Sequence, residues 1–450
     1  MTELNTTAGG KPVPLSVWSL AWPTMLAMAS HTATRWVDMK MVGVLGETPL
    51  AAVTVGGQIT WLFQMAVVAL SVGLTAIVAR AFGAGRFDEV DGATRQAVLL
   101  SIAVSVVTFG IGLLLLEPIF VWVGTEAEVT ALGTGYLFWM LTGVLPIAVS
   151  MQLASALRAG GDAFTPLWLG LFANVINVGF NWVFIYGHLG MPAMGAAGAG
   201  LASSLSLGLA TIPLLVMWRK GWTLLPTRGG SWRIDLSLWR RISVIGAPSA
   251  AEGILFNVVM LAFVSLMAGY GTAELVAYQI GVQIFMLAFL PGHGFEVAAS
   301  ALVGQNLGAG NPEQAEREGW KAARMAMVFM VMMAAALYAV SEPLGRFFID
   351  SDEVIELFGS FIIILGLCMP MLAVDFAIGG ALRGAGDTRT PMVALLVALA
   401  GFRLLPGYFI AEVFKLDVEY LWSVLLVDFS VRTALLCWAF RRGKWKTKTV

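Results

Sequence analysis

The chain alternates between twelve apolar stretches and short polar connections. The stretches run over roughly 16–45, 51–78, 95–117, 129–157, 164–187 and 195–218, then 241–269, 273–303, 320–341, 354–382, 389–412 and 419–440. Each supplies the ~20 mostly apolar residues that a helix needs to cross the hydrocarbon core of a bilayer. The pattern is also duplicated. Leu157–Leu167, LRAGGDAFTPL, returns at Leu382–Met392 as LRGAGDTRTPM, displaced by 225 residues in a chain of 450. The same displacement relates Pro23 to Pro248, Gly46 to Gly271, Gln58 to Gln283, and FGAG at Phe82–Gly85 to LGAG at Leu307–Gly310. A repeat this long decides the architecture before any single residue is weighed. Six spans is an even number, so both copies enter the membrane from the same side and the repeats are parallel. The predicted fold is an all-α integral membrane protein, with twelve transmembrane helices in two six-helix lobes related by a pseudo-twofold. The lobes are 1–218 and 241–450, joined by a cytoplasmic linker, 219–240.

Composition agrees with a life in lipid: 58% of residues are hydrophobic and 12% charged, against ~25% charged in soluble domains. Residues 1–15 lack an apolar core after a basic start, so no cleaved signal peptide is expected. Cys368 and Cys437 both fall inside apolar stretches and indicate neither a disulfide nor a metal site. Basic residues concentrate on the connections of one side, which sets orientation by the excess of Lys and Arg facing the cytoplasm. Lys11, Arg80, Arg86, Arg158, Arg383 and the linker group with Arg228, Arg240 and Arg241 fall there, together with the tail from Arg441 to Lys448. Glu126, Glu128, Asp350, Asp352 and Glu353 fall on the other side. Both termini are therefore placed in the cytoplasm, in a multi-pass protein of the cytoplasmic (inner) membrane. The Trp and Arg content of the linker suits either an amphipathic segment at the interface or a plain tether. Pro23, Pro146, Pro248, Pro291 and Pro370 are expected to interrupt spans, which lipid tolerates only where protein or a water-filled cavity resatisfies the freed backbone.

Several segments occur in one order, and the turn and loop motifs among them recur across the duplication: TRWVDMKMVGVLGETPLAAV at Thr34–Val53, the FGAG turn, the two LR-x-G-x-GD-x-x-TP-like loops, and NVINVGFNWVFIYG at Asn174–Gly187 followed by GAAGAGLASS. Together they make essentially the whole chain resemble the multidrug and toxic compound extrusion (MATE) family of efflux transporters, with a leaning towards its DinF-like branch. The resemblance implies a cation-coupled antiporter, with two six-helix lobes and a substrate cavity between them near mid-membrane. Export of cationic or amphipathic organic compounds would be driven by inward protons or sodium, with no bound cofactor. Small organic substrates and membrane lipid are the implied partners, with no nucleic acid, for a protein that is no enzyme and acts as a monomer. A lipid-linked saccharide flippase of the same broad superfamily is the alternative, although such proteins line their cavity with many cations and Arg35 is the main one here. No G-x-x-x-x-G-K-[ST] nucleotide loop and no H-E-x-x-H zinc pattern occurs.

Ionisable groups inside spans are the candidates for coupling, because placing a charge at mid-bilayer is costly. Asp38 matches the family's first-helix aspartate, and Thr34, His31 and Ala27 precede it on one helix face. Arg35 stands three residues away, so a structural Arg35–Asp38 ion pair remains open. Asn174, Asn177 and Asn181 form a polar stripe on the fifth span. Where several family members read N-x-x-x-D, this chain reads Asn177 then Asn181, so these residues serve either as cation ligands or as hydrogen-bonding glue between helices. His31, Arg35, Gln58 and Gln283 are the candidates for lining the substrate cavity, with His31 also open to a packing role. In the second lobe Glu252 and Asp375 lack a partner nearby in sequence. They are expected to share a proton or a sodium ion, or to be bonded separately to neighbours such as Asn257 and Gln279. His293, Glu296 and Arg403 are further ionisable residues in apolar surroundings, and Asp428 and Arg432, four apart on one helix, are expected to neutralise each other.

Overall fold

The computed structural model describes residues 15–227, 229–348 and 351–449. Lys11, Arg228 and Asp350, which entered the orientation argument, lie outside the described residues. Among the described residues twelve long helices carry the fold: α1 Val17–Gly43, α2 Glu47–Gly83, α3 Phe87–Leu114, α4 Ala127–Gly160, α5 Phe164–Tyr186 and α6 Ala196–Arg219, then α7 Leu236–Ala268, α8 Thr272–Gly308, α9 Pro312–Ala339, α10 Asp352–Gly384, α11 Arg389–Phe414 and α12 Val418–Arg442. Short helices at Pro118–Val123 and Ser341–Phe348 precede α4 and α10. Among the described residues there is no strand. The displacement of 225 carries α2 onto α8 and α3 onto α9 residue for residue.

Eleven of the twelve are long and apolar enough to cross a membrane by length and composition. The twelfth, α1, has the length, but His31, Arg35, Asp38 and Lys40 in its second half lower its hydropathy. The departure from uniform apolarity thus falls where the coupling candidate sits.

The chain divides into two compact units, Leu26–Gly246, and Ala247–Val450 together with Leu15–Met25. In the first, α4 is the central helix and packs on α2, α3 and α6, with α5 on α6. In the second, α10 takes that place and packs on α8, α9 and α12, with α11 on α12.

The repeated loop motif is a helix stop followed by a helix start. Gly161 (φ 105°) and Gly386 (φ 83°) take the left-handed conformation that ends α4 and α10 without a Cβ penalty. The next N–H reaches back, Asp162 to Leu157 O and Asp387 to Leu382 O, each at 2.8 Å. The carboxylate then caps the following helix. Asp162 Oδ1 accepts from the N–H groups of Phe164 (3.1 Å) and Thr165 (2.9 Å), and Asp387 Oδ1 accepts from the N–H of Thr390 (3.2 Å). This is why a GD-x-x-TP spacing recurs: it fixes where α5 and α11 begin, and with them the side chains discussed below.

The prolines do not end the spans: Pro23, Pro146, Pro248, Pro291 and Pro370 each lie inside a helix that continues past them, as lipid tolerates where the freed backbone group is resatisfied. The irregular span is α11, which is π-helical over Val397–Leu404 and Phe409–Phe414. Within the linker, the described residues between the end of α6 at Arg219 and the start of α7 at Leu236 form no helix. Pro226, Gly229 and Gly230 deny it helical propensity, and it is strapped onto the first unit instead. Leu225 is buried, Gln96 of α3 donates to Arg233 O (2.7 Å) and accepts from the N–H of Asp235 (3.0 Å), and Arg241 pairs with Glu89 (3.1 Å). Gln96→Ala removes two such bonds, each worth about 1 kcal/mol. Limited trypsin digestion should then cut at exposed Arg233 about fivefold faster or more, with helix content unchanged.

Candidate functional site

In the first unit, α1, α5 and α6 bring together the polar residues that the sequence singled out. Small residues set the approach of α6: a Cβ on Gly198 would stand 2.5 Å from Phe184 O, so α6 lies directly against α5. Tyr186 Oη donates to Met41 O (2.8 Å) and pins the ends of α5 and α1 together. On this frame Asn181 Nδ2 donates to Asp38 Oδ1 at 2.5 Å and to Asn177 Oδ1 at 3.1 Å, Asn177 Nδ2 donates to Ser203 Oγ (3.3 Å), and Asn174 Nδ2 donates to Ser30 Oγ (2.8 Å). Asn177 and Asn181 are buried, and Asp38 is half-buried. Asn181 Oδ1 is buried with no hydrogen-bond partner, so the site holds one unused amide oxygen beside a carboxylate. Such hard oxygen donors suit a proton on Asp38 or a small hard cation.

The Arg35–Asp38 ion pair left open by sequence is absent among the described ion pairs, and Arg35 is exposed. His31, Gln58 and Gln283 are exposed as well.

In the second unit, charges that looked isolated in sequence are joined. Gly380 and Gly384 face α8 so closely that Cβ atoms there would stand 2.4 Å from Glu296 O and 2.1 Å from Ser300 O. This small-xxx-small approach brings Arg383 to Glu296. Arg383 Nη1 donates to Glu296 Oε1 (2.6 Å), and Arg383 Nη2 donates to Glu252 Oε1 (2.8 Å) and Oε2 (2.9 Å). Arg432 Nη2 donates to Glu252 Oε1 (3.1 Å), and Arg432 Nε lies 2.7 Å from Asp375 Oδ1 in an ion pair whose two atoms are both left without an aligned hydrogen bond. His293 Nδ1 lies 2.7 Å from Glu296 Oε2.

This geometry corrects three readings. Glu252 and Asp375 are not unpartnered, because the guanidinium of Arg432 bridges them. Nor are they bonded separately to Asn257, whose amide donates to Gly253 O (2.8 Å) instead. Asp428 and Arg432 do not neutralise each other either. Asp428 pairs with Arg403 of α11 at 2.5 Å, with both side chains 2% exposed, and Arg403 also lies over the rings of Phe263 and Phe429. A spacing of four residues makes an intrahelical pair available, but partners from other helices win here because they also relieve buried acids.

Sequence reasoning had placed Arg383 among the charges of a cytoplasmic connection and left Glu296 and His293 without a role. The available signal was their i, i+3 spacing on α8 and the place of Arg383 within the duplicated motif. Among the described residues no group of three or more His, Cys, Asp or Glu is arranged to hold a metal ion.

The MatE family model matches residues 23–183 and 248–409, once in each copy of the repeat. The chain is 28% identical to the probable multidrug resistance protein NorM of Thermotoga maritima, over 96% of this chain and 93% of that protein. It is 31% identical to the protein of the same name from Mesorhizobium japonicum, over 95% of each. Among solved structures, an outward-facing multidrug resistance MATE family transporter of the MOP superfamily superposes with a TM-score of 0.88 at 20% identity, covering 96% of both chains. The Vibrio cholerae MATE transporter VcmN, in its bent form, superposes with a TM-score of 0.85 at 19% identity, covering 96% of this chain and 98% of that one.

Proposed function

This chain belongs to the MatE family, and from that membership we propose that it is a cation-coupled antiporter exporting cationic or amphipathic organic compounds across the cytoplasmic membrane. It works there as a monomer with both termini inside. The supporting observation is the Asp38 site, a half-buried carboxylate held by Asn181 beside an unused amide oxygen. Such a site takes up a proton or a sodium ion and requires no other cofactor. Asp38, Asn177 and Asn181 carry coupling in this reading, and the exposed His31, Arg35, Gln58 and Gln283 meet substrate. Glu252 and Asp375 contribute through their arginine bridge rather than as a free pair. The flippase alternative is set aside, since the relatives carry multidrug resistance names.

Purified protein in vesicles loaded with a fluorescent organic cation tests this. Efflux should follow an imposed inward proton or sodium gradient and fall to the passive leak when both gradients are collapsed. Undiminished efflux without either gradient would remove the antiport mechanism.

A further inference from the structure

The linked charges of the second unit do not balance. Three carboxylates, Glu252, Glu296 and Asp375, meet two guanidiniums, Arg383 and Arg432, in one unbroken series across α7, α8, α10 and α12. One negative charge is left over in a setting where an uncompensated buried charge is costly. At the inner end of the series Asp375 Oδ1 is buried 2.7 Å from Arg432 Nε, with neither atom in an aligned hydrogen bond.

The outer end carries His293. Its imidazole Nδ1 touches Glu296 Oε2, and side-chain exposure falls from 43% at His293 to 17% at Glu296, then to 12% at Arg383, 11% at Glu252 and 13% at Arg432, and to 3% at Asp375. A proton arriving from outside the protein therefore meets His293 first. Histidine is also the side chain whose ordinary titration range spans neutral pH. The charged group that touches it is Glu296 on its own helix, and behind Glu296 the series continues through Arg383 of α10, Glu252 of α7, Arg432 of α12 and Asp375 of α10. Leu15–Met25 brings no charged residue to this unit, and the charged residues of α9 end at Arg324. The remaining neighbours are the rings of Phe376 (4.9 Å) and Phe289 (6.5 Å).

The duplication shows that the fold does not need this series. Displaced by 225, the positions of His293, Glu296, Glu252, Asp375 and Arg432 are Val68, Ser71, Ala27, Ser150 and Leu207, and Arg383 alone has a charged counterpart, Arg158. The first unit builds the same helix packing without it.

We propose that His293 is a proton-binding site of the second unit, separate from Asp38, whose imidazolium supplies the third positive charge that the Glu296–Arg383–Glu252–Arg432–Asp375 series lacks. Its ligand is a proton rather than a sodium ion, because the acids are already engaged by guanidiniums and the open end is a nitrogen base. The role of that proton in export rests on the antiport reading above, but its binding does not.

The two are separated by two measurements on the full-length protein. The chain has three histidines, His31, His188 and His293, so ring-labelled protein in detergent gives three imidazole resonances that single substitutions assign. The His293 resonance should respond to pH, and that response should change in Glu296→Gln. A resonance that does not respond, or that ignores Glu296→Gln, overturns the site whatever the transport result. In vesicles at a fixed gradient, the efflux rate should vary with absolute pH, by up to about tenfold per unit for one proton. His293→Lys, which holds the positive charge permanently, should remove the His293 share of that dependence, so that its pH profile departs from the wild type's while the share from Asp38 remains. An unchanged pH profile in His293→Lys also overturns the proposal. Loss of gradient dependence in the wild type, with His293 still titrating, would instead remove the antiport reading alone.

Discussion

Asp38→Asn is expected to lower gradient-driven efflux by roughly 5–150-fold, the range of typical coupling free energies, while the protein stays folded. The substitution keeps the side-chain volume, and its amide oxygen can still accept from Asn181 Nδ2, the bond that holds α5 to α1 here. What it removes is the group able to change charge. A cation shifts a transport cycle only through its different affinity for the two states, so a site that neither titrates nor carries charge transmits nothing. Adding Arg35→Gln should not rescue the variant, because Arg35 is exposed and forms no ion pair with Asp38. The readout is dye efflux in vesicles beside a thermal melt in detergent. Wild-type coupled efflux from a folded Asp38→Asn protein would place coupling elsewhere.

Arg383→Met is expected to be the most damaging single change to stability. Arg383 serves Glu252 and Glu296 at once, and removing the partner of a buried ion pair costs about 3–5 kcal/mol because the remaining charge stays buried. That is a large share of the ~5–15 kcal/mol by which folded domains are stable. Adding Glu296→Gln should recover part of the loss by restoring the charge count. The internal control is Arg158→Met, the same position in the first repeat, where the guanidinium donates to Ser155 Oγ at 3.3 Å. Melting temperatures of the three variants decide the matter: equal losses for Arg158→Met and Arg383→Met would mean that the paired acids contribute nothing.

The contrast between those two arginines shows what the sequence could and could not reveal. Helix positions were legible because a bilayer imposes one length on every span and the duplication counts each span twice. Thus the motif around Gly161 and Gly386 marks the starts of α5 and α11 in the sequence alone. That Asp38, Asn177 and Asn181 meet was legible in part, since Asp38 matched the family's first-helix aspartate and the asparagines form one stripe by helical periodicity, although Asn181 departs from the family's N-x-x-x-D pattern. Pairing in the second unit was not. Asp428 had a partner four residues away, and only the approach of α11, with its π-helical stretch around Arg403, decides that the acid turns to another helix. Arg383 looked like a connection charge because it stands one residue before the end of its helix. The glycines that carry it to Glu296 act through helix spacing, which no local pattern records.

The membership of the two units has a consequence for how the protein is made. Leu15–Met25 belong with Ala247–Val450, so the first turns of α1 are synthesised long before anything they pack with. At the ~5–20 residues per second of ribosomal synthesis, the intervening stretch of more than two hundred residues keeps that segment waiting for something on the order of 10–45 seconds. For that interval the nascent first half is inserted but unfinished, and Val17, Leu20 and Ala21, which end up fully buried, face lipid or the insertion machinery. A ribosome stalled in the linker should therefore leave a product that is open to membrane quality-control proteases, and completing the second half should close that window.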